Sequence, residues 1–316
     1  MIAVAGEALI DAHLAEGVLR PFAGGGPFNT AIALARLDVP VCFVGGVSTD
    51  QFGRLLNETL ADNGVDRRYV KRVAAPTPLA VVDTSAGDAA YSFYLRDTAY
   101  QAFEEVDVLQ LSSEVAALHV GTLALATDPP ASALEALASR VADSMVIMVD
   151  PNVRPAIIGT RQPFVDRFER WVRLADVVKL SAADLAWLYD DARPEDVAGD
   201  FLALGAALVV VTDGADGASA WTNEWSARTT APAVTVADTV GAGDAFGAAL
   251  LAWLWRAGRL DKRALREIDA GSLEAAIAFA AAVASLQCTR PSASAPTSAD
   301  VDRFLEQQAL VVKAHD

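Results

Sequence analysis

The chain has 316 residues, 53% of them hydrophobic, and its 25 basic against 41 acidic side chains leave a formal net charge of −16. That length suits one large α/β unit or two domains, and that charge repels a phosphate backbone, which opposes a nucleic-acid partner. The apolar residues are spread so evenly that no run is expected to reach the roughly 20 of a membrane span, and two cysteines, Cys42 and Cys288, with no basic leader before the first strand, predict a cytoplasmic protein.

In chain order, Ile2 to Ala5 reads as a buried strand and Leu9 to Phe22 as short alternating segments with turns. Pro27 to Leu37 then reads as a helix, Val41 to Val44 as a strand and Gln51 to Asn63 as a helix. Tyr69 to Leu95 returns to short alternation, with Ser85-Ala86-Gly87-Asp88 as a hairpin turn. Strands follow at Ala116 to Val120, Met145 to Val149, Val177 to Leu180 and Ala207 to Thr212, with a helix at Ala131 to Ala142. Val-rich runs separated by helices are what a parallel sheet covered on both faces requires. The expectation is a three-layer α/β/α, Rossmann-like core with a small β-sheet set on it, one unit over residues 1–316, the small sheet coming from about 9–22 and 69–96. Ala242 to Trp255 and Ser272 to Gln287 are apolar on most sides and predict buried helices. Thr289 to Ser298, rich in Pro, Ser and Ala, predicts a loop.

The sharpest chemical signal is Asp238-Thr239-Val240-Gly241-Ala242-Gly243-Asp244, directly before the Ala242 helix. Gly241 and Gly243 free the backbone so that successive N–H groups can converge at a helix N-terminus, where the dipole favours an anion. Asp244 then sits beside an anion site. Phosphoryl transfer to a hydroxyl needs that pair, donors for the moving charge and a base for the hydroxyl proton. A plain glycine turn with an aspartate in the first helical turn accounts for the same residues.

Gly24-Gly25-Gly26-Pro27-Phe28-Asn29 permits a hinge or a close ligand approach, or is a loop with Asn29 at a helix end. It lacks the G-x-G-x-x-G spacing of a dinucleotide fingerprint, which opposes a dehydrogenase. Asp150-Pro151-Asn152-Val153-Arg154 follows the Met145 strand, at a carboxyl end where open α/β sheets bind ligands. There Arg154 would neutralise phosphate and Asp150 would hold water around Mg²⁺; a surface turn with a solvated arginine is the alternative.

With Ala5-Gly6-Glu7-Ala8-Leu9-Ile10-Asp11 and Thr212-x-Gly214-x-x-Gly217 added, these segments over the whole chain resemble, in order and spacing, the ribokinase (phosphofructokinase B) family of sugar kinases, within it most of all the bacterial fructokinases. The resemblance implies a ribokinase-like fold with ATP and Mg²⁺ as cofactors. It implies Asp244 as base, with the N–H groups of Gly241, Ala242 and Gly243 as the anion hole. It places Asp11, Gly24, Gly25, Asn29, Phe93, Arg96 and Arg154 at the sugar, and Lys179, Thr212, Gly214 and Gly217 at the nucleotide. Asp184, in Ser181-Ala182-Ala183-Asp184, aligns with a family Asn-x-x-Glu segment tied to magnesium. Asp238 aligns with a ligand of a monovalent cation such as K⁺, although Ser292, Ala293 and Ser294 replace a commoner glycine-containing loop.

Among acceptors, the opening motif and the Gly-Gly-x-Pro-x-Asn loop tilt the reading to fructose. Phe93-Tyr94-Leu95-Arg96 leaves 2-keto-3-deoxygluconate open, and ribose belongs to the same family. A non-catalytic sugar or nucleotide sensor is the reading of a different class, opposed by the intact Asp244. Val81, Tyr91, Phe93 and Leu95 supply apolar material for an outer face of the small sheet, with Tyr91, Phe93 and Leu95 on one side. That predicts a homodimer joined through the lid.

Overall fold

A computed structural model describes all residues except 16, 84–89, 105–110, 191, 292–293 and 314–316, and leaves the side chains of 15, 83, 90, 91 and 309–313 undescribed as well. The strands are β1 (Ile2–Ala5), β2 (Leu9–Ala15), β3 (Val18–Gly24), β4 (Val41–Ser48), β5 (Asp66–Val73), β6 (Leu79–Asp83), β7 (Ala90–Tyr94), β8 (Ala117–Gly121), β9 (Val146–Asp150), β10 (Val177–Ser181), β11 (Leu208–Thr212), β12 (Ala218–Trp221) and β13 (Ser226–Thr229). The helices are α1 (Gly26–Arg36), α2 (Gln51–Asp62), α3 (Pro130–Val141), α4 (Pro155–Ile158), α5 (Arg161–Leu174), α6 (Ala182–Tyr189), α7 (Pro194–Leu204), α8 (Ala242–Arg256), α9 (Lys262–Arg266), α10 (Ala270–Cys288) and α11 (Ser298–Lys313).

Nine strands form one sheet in the order β13-β12-β11-β10-β9-β8-β1-β4-β5. The pairs from β11 through β5 are parallel, and β12 and β13 add an antiparallel edge. Successive side chains of a strand point to opposite faces, so each central strand must be apolar on both. In β1, Ile2 and Val4 enter a core shared with α1, α2, α8 and α10, whereas Ala3 and Ala5 enter a second core shared with α3, α5, α6 and α7. The three layers follow from that alternation.

Helix α10 departs from the expectation that no apolar run is long enough for a membrane. Its 19 residues, with a mean hydropathy of 1.4, are long and apolar enough to cross one. Half of that stretch is buried within the fold, and Leu273, Ile277 and Val283 join the α8 side of the core.

The small sheet has the order β3-β2-β6-β7. Its limits correct the range taken from alternation, because Asp66–Val73 is the edge strand of the large sheet, parallel to β4. Basic residues stand at its exposed positions, and they are what an edge strand needs to resist further pairing. The turn expected at 85–88 and the replaced loop residues Ser292 and Ala293 lie outside the described residues. The face expected to point outward also differs. Phe93 lines a cavity between the two sheets, and Leu95 is buried with Tyr100 and Leu123, so that side of the sheet covers its own site. The exposed apolar residues are instead Val18, Leu19 and Tyr94.

Candidate active site

Every parallel strand from β11 to β1 delivers its carboxyl end to one rim of the large sheet, the rim on which open α/β folds bind ligands. Helix α8 starts over that rim. Its N-cap Gly241 has φ +75, a left-handed conformation that costs a residue with a Cβ, and no side chain caps the helix. Ala242 N donates to Thr239 O at 3.2 Å, so that amide is already engaged; the N–H groups of Gly241 and Gly243 have no protein acceptor among the described residues. The expected trio of anion donors is therefore corrected at its middle member, which closes the turn.

Asp244 lies in the first turn of α8, and its Oδ2 accepts from Asn29 Nδ2 at 2.9 Å. Burial raises its carboxyl to about 6 against the opposing Asn29 bond, with Asp150 adding a like charge. Asp244, Asn29, Gly25, Asp11, Phe93 and Arg154 line a cavity of about 290 Å³ beneath the small sheet. Burial and the neighbouring Asp244 also raise Asp11 to about 6. Gly24 does not line the cavity. A Cβ there would collide with Asp11 Oδ2, so this glycine makes room for the aspartate. Arg96 is exposed and lies outside the cavity lining, unlike its expected place at the sugar.

Among the polar residues of the cavity, Glu7, His13, Thr122, Asn152 and Thr239 were given no role from sequence. Thr122 and Asn152 follow β8 and β9 with φ +54 and +37, and Asn152 Nδ2 donates to Thr122 Oγ1 at 3.1 Å. Left-handed backbone at a β-branched threonine is strained, and such strain concentrates at ligand sites. The Asp-Pro-Asn-x-Arg segment signalled Asn152. Nothing local signalled Thr122.

A second cleft, of about 540 Å³, is lined by Thr212, Gly214, Gly217, Phe246, Ala284 and Cys288 among others. It is mostly apolar, as a nucleobase pocket requires. Gly217 has φ +95, and a Cβ there would run into the Thr229 backbone. The two cavities share Thr239 and Gly243, so they meet at the bend that opens α8.

Lys179 does not line the second cleft. It is buried under the bend, its Nζ 3.3 Å from where a Cβ on Gly243 would lie, and it pairs with Asp150 at 2.7 Å. Asp184 accepts from Val153 N at 2.7 Å through Oδ1, and from Ser181 N and Oγ through Oδ2, in a capping box at the start of α6. Asp238 Oδ1 accepts from Val240 N at 3.0 Å. No cluster of three or more His, Cys, Asp or Glu side chains fit to hold a metal occurs among the described residues. With Asp150 and Asp184 already engaged by protein donors, this donor set suits an ion that arrives on nucleotide phosphates with its own waters, not a resident metal.

Two cavities joined at a glycine-built helix N-terminus, with a carboxylate beside the junction, define a phosphotransferase on an α/β/α core. The chain belongs to the pfkB family of carbohydrate kinases, whose model matches residues 2–300. A fructokinase of Rhizobium leguminosarum bv. trifolii is 39% identical over 278 residues, covering 86% of this chain and 85% of the relative. The solved structure of a Xylella fastidiosa fructokinase with bound ATP superposes with a TM-score of 0.91 at 29% identity, over 98% of each chain. A Vibrio cholerae fructokinase in a fructose-, ADP- and calcium-bound form superposes with a TM-score of 0.83 at 28% identity, over 96% of this chain and 98% of the other. The fold is ribokinase-like.

Proposed function

We propose that the chain transfers the γ-phosphoryl group of Mg-ATP to a hydroxyl of fructose, with Asp244 as the base. The observation that carries this reading is the carboxylate of Asp244 at the junction of the two cavities, next to amides without protein acceptors among the described residues. The acceptor hydroxyl gives its proton to Asp244 and its oxygen bonds to the γ-phosphorus, while the bond to the bridging oxygen breaks and ADP leaves with that electron pair. The Gly241 and Gly243 amides and the α8 dipole stabilise the charge on the transferring group. Asp150 and Asp184 would be the carboxylates to hold magnesium through its waters, and the ion would supply neutralisation of the phosphate charge. Lys179 below the bend adds a fixed positive charge.

Fructose is favoured over an acidic sugar by the cavity's own charges. Asp11 and Asp244 face it against Arg154, and the exposed Arg96 is not there to meet a second carboxylate. Asp11, Asn29 and Asn152 suit a polyhydroxy ligand, and the names of the fructokinase relatives point the same way. We assign the small sheet as a lid that closes over the sugar and keeps water from the phosphate. The test is kcat/KM for ADP release with fructose, ribose and 2-keto-3-deoxygluconate as single acceptors. Fructose should lead; a clear ketodeoxygluconate preference would reverse the choice of acceptor.

A further inference from the structure

Glu7 lies in the bend between β1 and β2 and is 1% exposed. Its Oε1 accepts the N–H of Gly26, the first residue of α1, at 3.1 Å. Its Oε2 is buried without a hydrogen-bond partner among the described residues. The N-cap of α1 is Gly25, which has no side chain to cap with, so Glu7 supplies across the fold the acceptor that a serine or aspartate supplies locally.

What this cap holds in place is Asn29. The Asn29 N–H closes the first turn on Gly25 O at 2.8 Å, and its Nδ2 donates to the Asp244 carboxylate at 2.9 Å. A short chain of contacts thus runs from β1 through the start of α1 to the base. Around Glu7 stand Asp244 on α8, Asp11 and His13 on β2, Arg154 beyond β9, and the buried Tyr100. Two of these groups are carboxyls and would oppose a third negative charge.

We propose that Glu7 is a positioning residue that works in its protonated form, capping α1 through Oε1 so that Asn29 stays on Asp244, and adding no third negative charge beside Asp11 and Asp244. Burial, reinforced by Asp244, raises the Glu7 carboxyl to about 8, in the direction the geometry requires. The Oε2 hydroxyl, with no acceptor among the described residues, is offered to the cavity that Glu7 lines. This inference rests on Asp244 being the base.

The experiment compares the wild type, Glu7→Gln and Glu7→Ala in the full chain. Glutamine keeps an acceptor for Gly26 and stays neutral at every pH, whereas alanine removes the cap. Glu7→Ala should lower kcat by about tenfold or more with a smaller change in KM, the scale of a displaced catalytic group. Glu7→Gln should restore most of that loss at pH 7 and lack the alkaline decline expected of the wild type above about 8. Infrared difference spectra between wild type and Glu7→Gln should show a protonated carboxyl at pH 7 that disappears on the alkaline side. Glu7→Gln as impaired as Glu7→Ala, an unmoved alkaline limb, or no protonated-carboxyl band would each overturn the proposal; should Glu7→Ala not fold, the glutamine variant and the spectrum decide it. A wild type that phosphorylates no sugar would sink the kinase reading instead, and the infrared band would still decide the state of Glu7.

Discussion

As the proposed base, Asp244 would work only when ionised, and its carboxyl is raised to about 6. For the free enzyme, kcat/KM should therefore be flat between that pH and about 8, where Glu7 ionises, and fall tenfold per unit below about 6, which a pH profile with fructose would check. A profile flat down to pH 4.5 would detach the reaction from this group. Asp184 makes a prediction of another kind, since three protein donors converge on its carboxylate. Asp184→Ala leaves the buried Val153 amide unsatisfied and should cost about 1–3 kcal/mol of stability in denaturant unfolding without any metal present. No loss under those conditions would leave magnesium as the reason for an acid there. Asp244 and its glycines were legible because a Gly-x-Gly-Asp turn before an apolar helix carries its chemistry locally. Glu7, Thr122 and Asn152 carry theirs through neighbours far off in sequence, and Glu7 passed in the sequence as one letter of an opening motif.

At the scale of elements, the bend from β3 into α1 joins the small sheet to the core. Gly25 has φ +110, and a Cβ there would lie 2.8 Å from the Glu7 carbonyl oxygen, a backbone atom with little room to move. Gly25→Ala should destabilise the protein by about 1–3 kcal/mol and lower activity with it, measured by thermal unfolding and turnover. A variant of wild-type stability and rate would show that the bend tolerates another geometry. Burial of Glu7 predicts a pH dependence of stability. Its folded pKa of about 8 stands above the ordinary carboxyl value of 4.5, so its proton is held in the fold and lost on unfolding between those values. Stability is full below about 4.5 and falls as pH rises to about 8. Glu7→Gln should escape that loss, exceeding wild type by up to a few kcal/mol at pH 8 and by little at pH 4.5. The parallel strands were readable because burial on both faces leaves them continuously apolar. Strand β5 was not, because it is an edge strand with no fully buried residue and with basic residues on both of its alternating sides, and α5 was missed because its polar face dilutes the apolar stripe of Phe164, Phe168 and Trp171.

At the scale of the whole molecule, the layers and the small sheet followed from the strand-helix rhythm, whereas the way the small sheet turns its faces did not. Which side of a four-stranded sheet faces the core is fixed by how it is hung on the bends at Glu7 and Gly25, and alternation alone is silent on that. With Phe93 and Leu95 turned inward, a dimer through the lid would rest on the other face and the edges, where Leu19 and Tyr94 are exposed. Sedimentation at micromolar concentration should show a dimer that Leu19→Asp with Tyr94→Asp disperses; a wild-type monomer would end that proposal. Fructose should also slow amide exchange in residues 9–24 and 79–94 if the lid closes on it.

The account turns on Asp244 taking a proton from a sugar hydroxyl at the meeting point of two cavities. Single-turnover transfer of the γ-phosphate from Mg-ATP to fructose, by the wild type and by Asp244→Asn, tests this most directly. The asparagine variant should still fold and bind ATP, because the amide preserves the size of the side chain. The wild type should form fructose phosphate, and the variant should do so at least about a hundredfold more slowly, the usual scale for losing a general base. Transfer by Asp244→Asn at close to the wild-type rate would contradict the account.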